Sequence, residues 1–238
     1  MKVPEPKTTK RDRSRHPRIW DTDWLIHRKL ARLLLDQIKN HVPPGSVMVD
    51  LGCGTMPYRA AINELGIIYV GADIEGSPDL RIDSNGRMSF ESASANAVLS
   101  VQVLEHVRSL DAYCAEIRRL LCDDGTLLLS THGSWLYHPH PEDHRRWTRT
   151  GLATDLEARG LVVRDIRAIV GPLATTTIFR STGFAVFARK LPVLGDIFAS
   201  AIAVIMNVRA YLEDAITPAG ITMDNACIYL VQAGKAAA

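Results

Sequence analysis

The 238-residue chain has no uninterrupted hydrophobic run long enough to suggest a bilayer-spanning helix. Its most apolar stretch, residues 197–206, lies between Asp196 and Arg209 and is half the length that a spanning helix needs. Cysteine is sparse as well. Cys53, Cys114, Cys122 and Cys227 form no C-x-x-C pair and no dense framework, which excludes a disulfide scaffold and suits a reducing cytoplasm. Charge of one sign is also missing. A formal net charge of +2 gives no electrostatic reason to expect a nucleic-acid partner. There is no internal repeat, and the basic start is followed by no apolar segment with a small-residue cleavage site, so it does not read as a secretory signal.

What remains is ordinary globular material, with 47% hydrophobic and 23% charged residues. The charge is unevenly spread: residues 1–18 carry seven Lys and Arg against Glu5 and Asp12. That segment is expected to be a solvated, disordered tail, with an anionic partner or membrane surface as the other reading. Apolar residues at three- and four-residue spacing then predict an amphipathic helix over 20–40, ended by Pro43-Pro44-Gly45. Short apolar runs at 47–49, 67–70, 97–101, 126–130 and 161–166 read as strands. Between them lie helical patterns at 59–65, 112–121 (with Ser109 as N-cap) and 152–159. Continuously apolar strands alternating with helices predict an α/β fold with a parallel sheet covered on both faces. The rhythm breaks after Gly171 and resumes with a last strand at 227–231. The expected organisation is a tail (1–18) and one domain (19–238), with a helical cap at 19–44 and an insertion or lid at 172–225. A buried helix or lid is the expectation for the apolar stretch; peripheral membrane contact through 193–212, or a dimer face, is the other.

The segment around Asp50-Leu51-Gly52-Cys53-Gly54 carries the chemistry. A buried strand ends in an acid and runs through two glycines towards a helix. Ligands of open parallel sheets bind at the carboxyl ends of strands. A dinucleotide fingerprint would need a third small residue where Pro57 stands, and Asp50 would repel a pyrophosphate. The same carboxylate would attract an ammonium group. Asp73 ends the second strand and is suited to accept both hydrogen bonds of a ribose diol.

With Gln102-Val103-Leu104-Glu105-His106-Val107, Pro57-Tyr58-Arg59 and Pro141-x-Asp143-x-x-Arg146-x-Thr148, this ordered set resembles the class I S-adenosylmethionine-dependent methyltransferases, and within them the bacterial type-11-like group. The resemblance covers residues 45–167. It implies a doubly wound, mostly parallel, seven-stranded Rossmann-like sheet. It also implies S-adenosylmethionine held by Asp50, Gly52, Cys53, Gly54, Asp73, Ile74, Asp83, Ser84 and Gln102. Asp83 and Ser84 would lie near the adenine and Gln102 near the transferred methyl group, while Glu105 and His106 would be structural. Three positions depart from the pattern: Ala95-Asn96 replaces Phe-Asp, Asp123-Asp124-Gly125 replaces Pro-Gly-Gly, and His132 replaces a frequent Pro.

Residues 132–148 follow the fifth strand, where an acceptor must meet the methyl group. They hold four of the eight histidines. His138, His140, Asp143 and His144 are the catalytic candidates, as a general base oriented by Asp143. Arg146 and Trp147 would be available to orient the acceptor. A structural loop is the competing reading. Metal ligation by His138, His140 and Asp143 is weaker because no ordered ligand pattern appears, and no metal centre is expected. The expected activity is methyl transfer to a small-molecule or glycan-type acceptor, most plausibly at oxygen. A non-catalytic cofactor-binding scaffold and a nicotinamide oxidoreductase are the alternatives.

Overall fold

The computed structural model describes residues 14–139 and 142–236. Most of the basic tail and His140 therefore lie outside the described residues. The framework is one seven-stranded sheet in the order β3-β2-β1-β4-β5-β7-β6. Its strands are β1 (Val47–Leu51), β2 (Ile68–Asp73), β3 (Leu80–Arg81), β4 (Ala95–Val101), β5 (Leu121–His132), β6 (Leu161–Ile169) and β7 (Ile228–Lys235). The first five pair in parallel, and β7 runs antiparallel between β5 and β6. The expected α/β, Rossmann-like sheet is thus present, closed at one side by an antiparallel strand. The Asp123-Asp124-Gly125 segment, just before the strand expected at 126–130, is a bulge inside β5: Ala95 pairs with Leu121 and Ala97 with Thr126.

The helices follow from capping and periodicity. Ser109 Oγ accepts from the Ala112 amide at 3.3 Å and starts α3 (Leu110–Leu120). Thr148 caps α4 (Arg149–Glu157) in the same way. The N-terminal helix α1 (Trp24–His41) begins later than its periodicity suggests, because Asp21 turns the chain by accepting from the Arg18 and Trp24 amides through its side chain and carbonyl. It buries Leu25, Leu30, Leu34 and Ile38 against one face of the sheet, while the short α2 (Arg59–Glu64) contributes Ile62. Each such side chain is worth about 1.5–3 kcal/mol. The other face is covered by α3 and α4, with Cys114, Ile117, Leu152, Leu156 and Trp147 in its core.

Residues 172–225 are a helical hairpin, α5 (Pro172–Ala188) and α6 (Gly195–Ile216), followed by α7 (Ala219–Asp224). The ten-residue apolar stretch is part of a 22-residue helix that is long and apolar enough to cross a membrane by length and composition. Only 28% of its apolar window is buried, so of the expected buried helix or lid the buried form does not hold, and most of the helix is surface. Polar ties hold α6 to the domain. Asn207 Nδ2 donates to the Ile19 and Asp21 carbonyls at 2.7 Å each. Asp214 accepts from the Gly171 amide at 2.7 Å and pairs with Lys29.

Candidate functional site

The parallel strands β1, β2, β4 and β5 bring Leu51, Asp73, Val101 and His132 to one edge of the sheet, and both halves of the site lie there. The loop after β1 turns through positive φ at Gly52 (81°), Gly54 (52°) and Met56 (57°). A Cβ on Gly52 would stand 2.5 Å from Val103 Cγ2, so this glycine is fixed by protein packing. Nothing lies within 4 Å of a Cβ placed on Gly54, which leaves open space beside the loop.

Asp50 sits in β1 at 2% exposure. Tyr69 donates to Oδ2, but Oδ1 has no hydrogen-bond partner among the described residues. Burial pushes its pKa from 3.8 up to about 7, against the opposing Tyr69 hydrogen bond and with help from the Asp73 charge. A buried carboxylate with one bare oxygen is poised for a cation. Asp73 accepts from the Gly54 amide at 2.8 Å with one oxygen, and from the Ile74 and Glu75 amides at 2.7 and 3.2 Å with the other. It therefore joins the β1 loop to the end of β2, and a diol would share its remaining lone pairs. Ile74 is half exposed beside it, an apolar face suited to a planar base. Cys53 is buried and its thiol is pushed up to about 12 by burial and by three carboxylates, so it packs and does not react.

Gln102 holds φ 57°, rare for a non-glycine residue, and is pinned to Ser130 by its amide (3.0 Å to the carbonyl) and by its side chain (Nε2 to Oγ, 3.1 Å). Asp83 and Ser84 are exposed, and Asp83 Oδ1 accepts from the Asn85 and Arg87 amides at 2.8 and 2.9 Å. Asp83 thus shapes the turn after β3. Residues that the sequence did not single out complete this side: Tyr69 above all, and Asp79, which accepts from the Gly71 amide at 2.8 Å and pairs with Arg59.

On the acceptor side, Glu105 is fully buried in the 3-10 turn Leu104–His106 and bridges to β5. Thr131 Oγ1 donates to it at 2.8 Å, and His132 Nδ1 lies 2.9 Å from its other oxygen. Burial alone would raise its pKa. The close approach of His132, with the Thr131 hydroxyl and a backbone hydrogen bond, together outweighs burial and holds Glu105 below the ordinary glutamate range. His138 packs edge-on against both His132 (4.9 Å) and His106 (5.0 Å). Its Nδ1 lies 3.4 Å from Asp143, which also accepts from the His138 amide at 2.9 Å. Burial, then the neighbouring imidazoles, lower the pKa of His138, so the ring stays neutral below the usual histidine range.

The other expected acceptor residues are placed differently. Arg146 grips Asp143 with two nitrogens at 2.5 and 2.7 Å and donates to the Trp135 and Leu136 carbonyls. This grip lowers the Asp143 pKa far below the carboxylate range. Trp147 is core: it donates to Asp155 at 2.8 Å. Both are committed to protein partners in this fold, Arg146 within the loop and Trp147 to α4. His144 is exposed and faces Glu142 at 3.1 Å, away from the imidazole cluster. Trp135, stacked on His132 at 5.6 Å, and the exposed Tyr137 are the aromatic surfaces left on the loop. Donor atoms of Glu105, His132 and His138 lie within 4.8 Å of one another. These three side chains are thus grouped closely enough that they could hold a metal ion.

A model of the methyltransferase domain matches residues 24–186. A search of curated proteins returns no match. Among solved structures, the [4+2]-cyclase SpnF superposes with a TM-score of 0.57 at 16% identity, covering 87% of this chain and 82% of its own. Phosphoethanolamine N-methyltransferase 2 of Haemonchus contortus, in complex with S-adenosylmethionine, gives 0.56 at 15% identity; 92% of this chain spans 57% of that one. The 1,6-didemethyltoxoflavin-N1-methyltransferase of Burkholderia thailandensis, with S-adenosylhomocysteine bound, gives 0.54 at 16% identity, covering 87% and 78%. At such identities the likeness is one of fold, and a cyclase among these structures shows that the fold does not fix the reaction. The match over two thirds of the sequence does fix the family: the chain belongs to the methyltransferase-domain family, with the architecture of the class I S-adenosylmethionine-dependent enzymes.

Proposed function

We propose that the protein transfers a methyl group from S-adenosylmethionine to a hydroxyl oxygen of a small-molecule or glycan-type acceptor. The observation that carries the reading is the pairing, on one sheet edge, of a bare buried carboxylate at Asp50 with a neutral, carboxylate-oriented imidazole at His138. Asp50 takes the ammonium end of the donor, Asp73 the ribose, and Ile74 the adenine face. The open space at Gly54 admits the donor close to the backbone. The acceptor oxygen attacks the sulfonium methyl in line. The carbon–sulfur electron pair returns to sulfur and leaves the neutral thioether, and the hydroxyl proton passes to His138. Asp143, clamped by Arg146, holds the resulting imidazolium. Positioning supplies much of the rate in such a displacement. Solved relatives act on acceptors as different as phosphoethanolamine and didemethyltoxoflavin, so the acceptor has to be found by experiment. Acceptor libraries incubated with methyl-labelled S-adenosylmethionine and read by mass spectrometry should yield a labelled methyl ether. Label confined to nitrogen or carbon would refute oxygen as the target, and binding of NAD in place of the sulfur ligands would refute the donor.

A further inference from the structure

The cofactor edge leaves two features of the opposite chain segments unexplained. The first is a groove of about 640 Å³ between residues 15–18 and α1, lined by Arg15, Arg18, Arg28 and Arg32 together with Trp24. No carboxylate pairs with any of these four guanidinium groups among the described residues, and no acid lines the groove. Arg28 lies 5.1 Å above the Trp24 ring and Arg18 5.2 Å above Trp20. Four unpaired arginines converging on one cleft are an anion site by chemistry, with forked donors matched to phosphate oxygens.

The second is the outer surface of the α5–α6 hairpin. Phe187 (70% exposed), Val193 (97%), Ile197 (64%) and Ile205 (68%) stand in water along it. Phe184 and Phe198 flank an apolar groove of about 300 Å³ near its tip. Monomers seldom expose this much contiguous apolar surface without using it. Lys190 stands at the tip beside Arg189, which lies 3.5 Å from Asp196, and Arg209 farther along α6 is paired with Glu213, so the basic character of the surface comes chiefly from the groove. The two features adjoin, because Asn207 of α6 binds the Ile19 and Asp21 carbonyls, immediately after the arginine-bearing residues 15–18. The sequence places five more Lys and Arg, against two acids, in residues 1–13.

We infer that the arginine groove and the exposed face of the hairpin together form a docking surface for an anionic membrane. The guanidinium groups take lipid phosphates, and the apolar side chains enter the headgroup–acyl boundary. The ties of Asn207 and Asp214 to the domain keep α6 lying on the protein, so the helix rests in the interface and does not cross it. Charge complementarity favours this occupant over a second copy of the chain, since two such faces would bring the unpaired arginines together.

Vesicles of phosphatidylcholine, with and without phosphatidylserine, test this by co-sedimentation of the full chain. Binding should require the anionic lipid, weaken as salt rises, and resist competition by inorganic phosphate. Arg28→Ala with Arg32→Ala should lower affinity about 20–30-fold, the product of two losses of about 1 kcal/mol each. Phe187→Ser with Ile205→Ser should lower it without changing the salt dependence. Both variants lie outside the cofactor site, so calorimetric binding of S-adenosylhomocysteine should be unchanged, which verifies folding independently of the methyltransferase reading. Equal sedimentation with and without anionic lipid, full displacement by phosphate, or a stable dimer that is closed by the hairpin face and ignores vesicles would each overturn the proposal.

Discussion

The two halves of the sheet edge are built by different means. The cofactor half depends on short-range geometry: a strand end, a loop held in positive φ, and acids at consecutive strand ends, two of whose oxygens cap neighbouring amides. The acceptor half depends on side-chain contacts: Glu105 with His132 and His106 with the Glu142 carbonyl between distant segments, and the Asp143–Arg146 ion pair inside a loop that otherwise lacks regular structure. One half is specified by backbone conformation and the other by buried electrostatics. They should therefore fail differently when perturbed.

The largest effect should come from the acceptor half. His138→Ala should lower kcat about 10²–10⁴-fold once an acceptor is in hand. Binding of S-adenosylhomocysteine, measured by calorimetry, should change less than about twofold. Activity should hold at neutral pH and fall only below the ordinary imidazole range, because the pKa of His138 is lowered and its neutral form is the reactive one. An unchanged kcat in this variant would return the loop to a structural role.

Glu105→Ala should cost about 3–5 kcal/mol in denaturant unfolding, since it strands His132 in the core. Arg108→Ala breaks a pair at the surface, where solvent screens the charges, and should leave the unfolding midpoint nearly unchanged. The folded-state pKa of Glu105 is depressed, so its contribution is present above the unfolded value near 4.5 and is lost as pH falls below it. Comparable losses in the two variants would remove the contrast between buried and exposed pairs.

Gly52→Ala probes the cofactor half. It adds a Cβ 2.5 Å from Val103 at a φ of 81°, and should lower stability by about 2–4 kcal/mol and weaken S-adenosylhomocysteine binding in parallel. The smallest effect is the most specific. Asp50 is protonated in the free protein below about pH 7, and a cationic ammonium requires it ionised. Affinity for S-adenosylhomocysteine should rise as pH climbs through 7, with proton release on binding below that point. The stability of the free protein should run the other way, falling as pH rises from about 4 to 7, because the folded state binds the extra proton. Asp50→Asn should flatten both profiles; a pH-independent affinity in the unaltered protein would mean that the ammonium sits elsewhere.

The same contrast explains what could be read from the sequence. Asp50, Gly52, Gly54 and Asp73 announce themselves because strand periodicity, glycine spacing and a terminal acid are local signals. Tyr69 was silent: it is one aromatic in an apolar strand, and its hydroxyl reaches Asp50 only because β1 and β2 pair in register. Glu105 is expected from the sequence only to be structural, and the packing of its turn against β5 is what reveals its bond to Thr131 and its contact with His132. Arg146 and Trp147 looked available because side-chain chemistry was visible and burial was not. The hairpin misled for the opposite reason: an apolar stretch of ten residues resembles core, and only the fold shows that most of its helix faces outward.

The position of β7 has a further consequence for how the chain folds. This strand is the last in sequence, yet it lies between β5 and β6 and supplies every sheet hydrogen bond that β6 makes. During synthesis, β1 to β5 can assemble as a parallel half-sheet, while β6 and the α5–α6 hairpin must wait unpaired until residues 228–235 emerge. For that interval the β5 edge is open and the hairpin has no sheet beneath it. The final strand therefore acts as a keystone, and a chain interrupted before it would present both a bare strand edge and an apolar hairpin to chaperones and proteases.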